Sequence, residues 1–273
     1  MRKVLKRLAA ALAVVLAIAV IVDFGSSIFA EYRLARSVRA AAGLNWDPSA
    51  VILGFPFIPQ AVARRYGEVE IKTNDVEHAH VGKASLEATM HAVDLQESTW
   101  LIGPDAALPI GKLESRIIID SRHLGGFMHI PDLVVEAPSR DINNPGDDRG
   151  VQPEDLTTES GISDSHGLIF TGTPKAAGFD ERVSVAVDLT VTGPGRTTLV
   201  ITPTRVLTGP GTAEQAVPDD RLSAVLAAFR AELPDQRLPF GVAPTSQGAR
   251  GSDVIIEGIT EGVTVRLNGF KQS

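Results

Sequence analysis

The residues of this 273-residue chain that could do chemistry form none of the common catalytic motifs. There is no cysteine, which excludes disulfides, thiol catalysis, zinc–thiolate sites and lipoprotein acylation. The patterns GxSxG, HExxH and SxxK do not occur. Serine, histidine and aspartate are scattered along the sequence, so a triad assembled only by the fold stays open, and with it a hydrolase as an alternative.

Two histidines have a spacing that could begin a metal site. His78 and His80 would point the same way in an extended segment, and the fold would have to supply a third ligand such as His91. Exposed histidines at the end of a strand explain the pair more simply. We therefore predict no metal, no cofactor and no catalytic residues.

Residues 139–164 are acidic and contain almost no apolar side chains. An EF-hand that began at Asp141 would place Pro145 at position 5 and Gln152 at position 12, where calcium ligands are required. The pattern fails, and we interpret the segment as a mobile surface loop.

The most distinctive local pattern is apolar and rigid. Residues 54–59 read GFPFIP, and the two prolines exclude both a regular helix interior and a central sheet strand. The LPFGV segment at residues 238–242 repeats the Pro-Phe pair. These side chains could simply fill the core, or they could line or gate a hydrophobic cavity. The residues concerned are Phe55, Phe57, Ile58, Leu238 and Phe240.

The N-terminus has the pattern of a membrane segment. Four basic residues within positions 2–7 precede an uncharged, largely apolar run from Leu8 to Val22. The best signal-peptidase site ends at Ala30 and is poor, so we favour a signal anchor over residues 1–25 to a cleaved signal peptide. The positive-inside rule then places the rest of the chain on the extracytoplasmic, periplasmic side.

Charge restricts the partners of the remaining chain. The whole chain has 26 Lys and Arg against 33 Asp and Glu, of which the first 24 residues hold four basic residues and one acidic residue. The remainder has a net charge of −10, from 22 basic and 32 acidic residues. Such a domain repels nucleic acid and is not drawn to an anionic bilayer by charge. If it binds lipid, it must do so by apolar contact.

Most of the secondary structure predicted from the sequence is β-strand. Alternating apolar residues predict antiparallel strands, most clearly over residues 182–193, 262–269 and 68–72. In the run over residues 83–95 the alternation changes phase at Val93, which predicts a bulge and a bent sheet. Further strand candidates cover residues 113–120, 133–137, 166–172, 197–209 and 252–259.

Helices are predicted at few places. Residues 26–44 continue from the anchor, and short helices are expected over 59–66 and 121–128. A longer helix is capped by Asp219 and carries one apolar stripe, formed by Leu222, Val225, Leu226, Phe229 and Leu233. Residues 45–270 are expected to form one domain.

The order of the short motifs resembles a known family. GFPF with a short helix, YGEVEI with NDV, a distant LPFGV and a closing VIIEGITEGVTV pair are similar, over residues 26–270, to the LmeA-like phospholipid-binding proteins of the actinobacterial cell envelope. The acidic segment looks like an insertion by comparison. The resemblance implies an α+β fold like the tubular lipid-binding domains, with a large, strongly curved antiparallel sheet wrapped around a long helix.

The function that this resemblance implies is non-enzymatic. The chain is expected to be a membrane-anchored, extracytoplasmic phospholipid-binding protein, with the five apolar residues of the two Pro-Phe segments at the lipid entrance or cavity. Its expected partners are phospholipid acyl chains and proteins that assemble lipid-linked envelope glycans such as mannan. The alternative is a structural or scaffolding envelope protein with a solid core, which a ligand-sized apolar cavity would distinguish from the first.

Overall fold

The fold is taken from a computed structural model that describes residues 2–95, 99–137, 161–209, 211–213 and 215–271. Most of the acidic segment predicted as a loop, residues 139–160, lies outside the described residues.

Four helices are present in the described part of the chain. They are α1 (Arg2–Ala42), α2 (Phe57–Ala63), α3 (Ser121–Met128) and α4 (Asp219–Ala228). The predicted anchor and the helix after it are therefore parts of one continuous helix. α1 is long and apolar enough to cross a membrane.

The strands form two antiparallel sheets. The first sheet has six strands in the order β1-β2-β3-β4-β11-β10, and the second has five in the order β5-β6-β7-β8-β9. The strands are β1 (Ser49–Leu53), β2 (Arg65–His78), β3 (Gly82–Asp94), β4 (Ala107–Asp120), β5 (Val134–Glu136), β6 (Leu168–Gly172), β7 (Val183–Thr192), β8 (Thr198–Leu207), β9 (Ala231–Leu233), β10 (Ser246–Arg250) and β11 (Asp253–Arg266).

The α+β class is confirmed, but its predicted arrangement is not. The structure has two sheets where one large sheet was expected, and neither is closed. The long helix is the N-terminal α1, and the wrapping of a curved sheet around a long helix is not confirmed. The even hydrophobic alternation shows which residues face a core, but not how the strands are shared between sheets.

The predicted phase change in β3 is visible in its burial. Ala88 and Met90 are buried, Ala92 has a left-handed backbone with a φ of 53°, and the next buried residue is Val93. One residue in this conformation moves the following side chains to the other face of the strand, as in a bulge.

The chain divides into two compact units. Unit 1 comprises residues 1–73, 88–114 and 260–273, and unit 2 comprises residues 74–87 and 115–259. The strands β2, β3, β4 and β11 contribute residues to both, and a single domain over residues 45–270 stays a prediction.

The core of unit 1 includes one side of the C-terminal half of α1. Leu34 and Val38 are buried there, and the helix contacts β1, α2 and the turn at 267–269. The Glu31 carboxylate accepts a hydrogen bond from the backbone N–H of Ile52 in β1 (3.0 Å). The exposed side chains of residues 2–22 contrast with this packed half.

Unit 2 contains the second sheet, α3 and α4. Its core is largely aliphatic and continues along β6 and β7, where all five residues of β6 and seven of the ten residues of β7 are buried. A buried ion pair joins the guanidinium Nε of Arg116 in β4 to the Glu257 carboxylate in β11 at 2.6 Å. A charge at this depth needs an opposite charge in hydrogen-bonding contact, and each of these two side chains provides it for the other.

The helix predicted from Asp219 is shorter than its apolar stripe. It ends at Ala228, and residues 231–233 form β9 instead. In β9, Ala231 pairs with Ile201 of β8 and Leu233 pairs with Leu199. Pairing with the edge of the second sheet therefore replaces the last helical turn, although the sequence period suits a helix.

The predicted cap of this helix is also wrong. Pro218 holds the N-cap position and Asp219 is the first helical residue, where its charge faces the positive end of the helix dipole. Val225 and Phe229 are fully buried, whereas Leu222 and Leu226 are half-buried.

Replacement of Phe229 by alanine should destabilise the protein. The ring is 0% exposed, and truncation of a buried phenylalanine costs about 3–5 kcal/mol in the free energy of unfolding. Denaturant unfolding of Phe229→Ala measures this loss. The half-buried Leu222→Ala is the control and should cost clearly less, so equal effects of the two variants would contradict the burial of Phe229.

Candidate functional site

The GFPFIP segment forms a tight corner between β1 and α2. Gly54 takes a φ of 110°, which a side chain would rarely adopt, and the peptide bond before Pro56 is cis. The amide of Gln60 links the start of this corner to β2, because its Nε2 donates to the Gly54 carbonyl (3.0 Å) and its Oε1 accepts from the N–H of Gly67 in β2 (3.0 Å).

The first backbone N–H groups of α2 are bonded to α1. Asp23, in α1, accepts hydrogen bonds from the N–H of Phe57 (2.8 Å) and of Ile58 (2.7 Å). The N-cap residue is Pro56, which has no side-chain oxygen, and Pro59 has no N–H to satisfy. We call this pair of bonds the Asp23 cap. Its carboxylate is buried, and hydrogen bonds to a charged group contribute about 1.5–3 kcal/mol each.

An aromatic cluster packs behind the corner. Phe57 stacks on Tyr66 with ring centroids 5.8 Å apart and meets Trp100 edge-on at 6.3 Å, while Trp100 lies 6.4 Å from Phe29 of α1. The Tyr66 hydroxyl donates to the Trp100 carbonyl. Burial raises the pKa of Tyr66 to about 12, so the phenol keeps the proton that it donates.

A second aromatic contact lies outside this cluster. Phe55 stacks on Phe24 of α1 with centroids 5.7 Å apart, and both rings are exposed. The corner therefore contacts α1 through one polar cap and one exposed ring pair.

An open apolar pocket of about 300 Å³ lies beside these contacts. Its volume is at the lower end of the range for ligand sites. The walls come from α1, α2 and the segment before β4, and all but one of the side chains are apolar. The lining residues are Ser26, Phe57, Ile58, Ala61, Val62 and Trp100.

The lining carries no groups for nucleophilic catalysis. Ser26 has the one hydroxyl among the lining residues, and it donates to the Val22 carbonyl of its own helix (2.8 Å). Neither a histidine nor a carboxylate belongs to the lining, so the pocket offers Ser26 no base.

Only two of the five sequence-predicted site residues line the pocket. Phe57 and Ile58 line the pocket, although the Phe57 ring itself is 2% exposed and packs as core. Phe55 is exposed at the corner and does not line it. Leu238 and Phe240 belong to unit 2, where Leu238 is buried close to Gly258 and Phe240 is half-buried.

Sequence reasoning missed five residues of the site, which are the capping residue Asp23 and the lining residues Ser26, Ala61, Val62 and Trp100. Asp23 carried a usable signal, since an acidic residue within an apolar membrane segment demands a partner. Trp100 and Val62 had no signal of their own, because one sits in an irregular segment and the other is an ordinary residue of a short helix.

His78 and His80, the two histidines with the spacing of a possible metal site, contact an aspartate and an amide side chain. His80 Nε2 lies 3.5 Å from an Asp235 carboxylate oxygen, and His78 Nε2 lies 3.1 Å from the amide nitrogen of the buried Gln236. Burial lowers the pKa of His78. Within the described ranges, no three His, Cys, Asp or Glu side chains are close enough together to hold a metal ion.

Removal of the Asp23 charge should loosen the start of α2. Asp23→Asn keeps the volume but offers one acceptor oxygen where the carboxylate offers two, so one N–H of the Asp23 cap loses its partner at a cost of about 1–3 kcal/mol. Hydrogen exchange of the peptide over residues 54–60, followed by mass spectrometry, should accelerate by about tenfold or more.

The matched control for this variant is Asp47→Asn. Asp47 forms an exposed ion pair with Arg39 at 3.3 Å, which contributes little to stability. Unchanged exchange over residues 54–60 in Asp23→Asn, or equal acceleration in both variants, would contradict the role of the Asp23 cap.

Comparison with known proteins identifies the family of the chain. A family model described as LmeA-like phospholipid-binding matches residues 21–259, a range that begins just before Asp23 and includes α2 and Trp100. No curated protein and no solved structure matches the chain at a significant level. Because the family model covers most of the sequence, the chain belongs to the LmeA-like phospholipid-binding family.

Proposed function

We propose that the chain is a membrane-anchored protein that holds a phospholipid by its acyl part in the pocket between α1 and α2. The observation that carries the proposal is the place of this pocket: one wall belongs to α1, the helix long enough to cross a membrane, and the other to α2. A lipid that leaves the bilayer beside α1 then meets apolar side chains without crossing water.

The chemistry of the lining suits an acyl chain. Hydrocarbon needs only apolar walls, and each buried methylene contributes about 0.8 kcal/mol. The pocket is open and small, so it holds part of one lipid and leaves the polar headgroup at its mouth. A pocket of this size and lining supports lipid binding over a scaffold with a solid core.

The Asp23 cap supports an anchor that is retained. A cut after Ala30 would remove Asp23 and leave the N–H groups of Phe57 and Ile58 without their acceptor. In the retained anchor, the basic residues at positions 2–7 stay in the cytoplasm and the folded units lie on the extracytoplasmic side.

The entrance of the proposed lipid path consists of Phe55 and Ile58, with Val62 and Trp100 beside them. Phe57 forms the floor of the pocket. A lipid role for Leu238 and Phe240 stays a prediction. Support of lipid-linked mannan or glycan assembly, together with the proteins of that process, is the physiological role that we propose on the basis of the resemblance alone.

Polar substitution of Ile58 should weaken lipid binding without unfolding the protein. Ile58 lines the pocket and is 37% exposed, so Ile58→Gln loses roughly 1–1.5 kcal/mol of apolar contact with the lipid, which corresponds to about five- to tenfold in affinity. Titration of the full chain with a fluorescent phospholipid measures the affinity, and circular dichroism of the same sample checks the fold. Phe57 is unsuitable for this test because its ring is core.

The matched control is Ala63→Gln, since Ala63 is an exposed residue of the same helix that does not line the pocket. Normal binding by a folded Ile58→Gln protein would contradict the proposed site. Binding that fades as salt rises would indicate headgroup attraction to the exposed Arg64 and Arg65 instead, because apolar burial is insensitive to screening.

A further inference from the structure

We propose that α2 is itself inserted in the bilayer, in the leaflet far from Arg7, with its exposed apolar side chains among the lipids. Two of these side chains, Ile58 and Val62, belong to α2, and the neighbouring Phe55 and Trp100 extend the same surface; together we call the four the membrane-contact face. The proposal rests on the membrane span of the proposed function and adds a second, non-spanning contact to it.

The membrane-contact face is unusually apolar for a surface in water. Val62 is 79% exposed and Phe55 is 65% exposed, and both lie in or next to a helix of only seven residues. The face continues onto α1, where Phe24 and Phe29 contact it and are themselves exposed. Because this surface is apolar and continuous with a membrane helix, we expect it to lie in the lipid that surrounds that helix.

The length of α1 sets the height of α2. The apolar run begins at Leu8, and the fifteen steps to Asp23 rise about 22 Å at 1.5 Å per residue. The hydrocarbon core of a bilayer is about 30 Å thick, so Asp23 falls short of its far edge by about 8 Å. Any tilt of the helix lowers Asp23 further.

The Asp23 cap ties α2 to this height. Its two hydrogen bonds of 2.7–2.8 Å fix the N-terminus of α2 beside Asp23. An unpaired carboxylate inside the hydrocarbon core is unfavourable. The partner that removes this cost is the start of α2, and α2 must therefore lie at the same depth as the carboxylate.

The C-terminal end of α2 has the charges of an interfacial helix. Arg64 and Arg65 directly follow Ala63, and both are exposed. Long basic side chains at the end of an inserted helix reach up to the phosphate layer while their stems remain in apolar surroundings. This arrangement orients the apolar residues of α2 toward the acyl chains.

The absence of cysteine from the sequence makes a site-specific test possible. Single cysteines are introduced into the full chain as Val62→Cys, Asn268→Cys and Leu12→Cys, labelled with a nitroxide and reconstituted in phosphatidylcholine vesicles. Electron paramagnetic resonance then compares collisions with oxygen, which concentrates in the bilayer, and with a water-soluble nickel chelate.

The two further positions calibrate the result. Leu12 is exposed within the apolar run and reports whether α1 spans the membrane. Asn268 lies with Ala40 and Ala41 around another pocket of unit 1, about 26 Å farther along α1 than Asp23, and serves as the water-exposed control.

The expected result is preferential oxygen collision at positions 12 and 62 and preferential nickel collision at position 268. Oxygen preference at 12 with nickel preference at 62 would overturn the insertion of α2 and leave the membrane anchor intact. Protection of position 62 from both reagents would also overturn it, because a protein would then cover the face. Nickel preference at position 12 would contradict the span itself, and with it the anchor of the proposed function.

Discussion

The Asp23 carboxylate, shared between two backbone N–H groups of α2, is the interaction on which the candidate site depends. It places an acceptor in the apolar N-terminal helix, where a charge is otherwise unfavourable, against a helix start that has no cap of its own. The carboxylate gains two donors, and the N–H groups of Phe57 and Ile58 gain an acceptor. Without this contact, the carboxylate would be buried without these hydrogen-bond partners and the two N–H groups would lose their acceptor, which is unfavourable. The pocket depends on this contact between the two helices, and the rings of Phe57 and Trp100, which meet edge-on, are part of its lining.

This arrangement explains why the sequence carries no polar signature of function. A site for hydrocarbon needs an apolar lining, a rigid frame and a route from the membrane, and none of these requires catalytic or metal-binding residues. The rigid frame comes from prolines at positions 56 and 59 and from the Gln60 amide, which bridges Gly54 and Gly67. Among the polar groups near the site, Asp23 caps a helix and Tyr66 donates to the Trp100 carbonyl, so both act on structure.

Sequence reasoning was most successful where one element determined the pattern. Alternation predicted antiparallel strands, the phase change at Val93 matched the left-handed Ala92, and the N-terminal run gave a helix of membrane length. It failed where contacts with distant segments determine the secondary structure or the composition of the site. The stripe from Leu222 to Leu233 has a helical period, yet pairing with β8 converts its last part into a strand. Trp100 enters the site from an irregular segment, and Asp23 gains its role only when α2 folds against it.

Native mass spectrometry of the purified full chain shows whether the folded protein holds a phospholipid. The chain is released from detergent micelles that contain mixed envelope phospholipids, and activation strips the detergent before the mass is recorded. The expected result is a folded chain that retains one phospholipid after the detergent is lost. A folded chain that is recorded only at its lipid-free mass, under conditions where a known lipid-binding protein keeps its ligand, would contradict phospholipid binding.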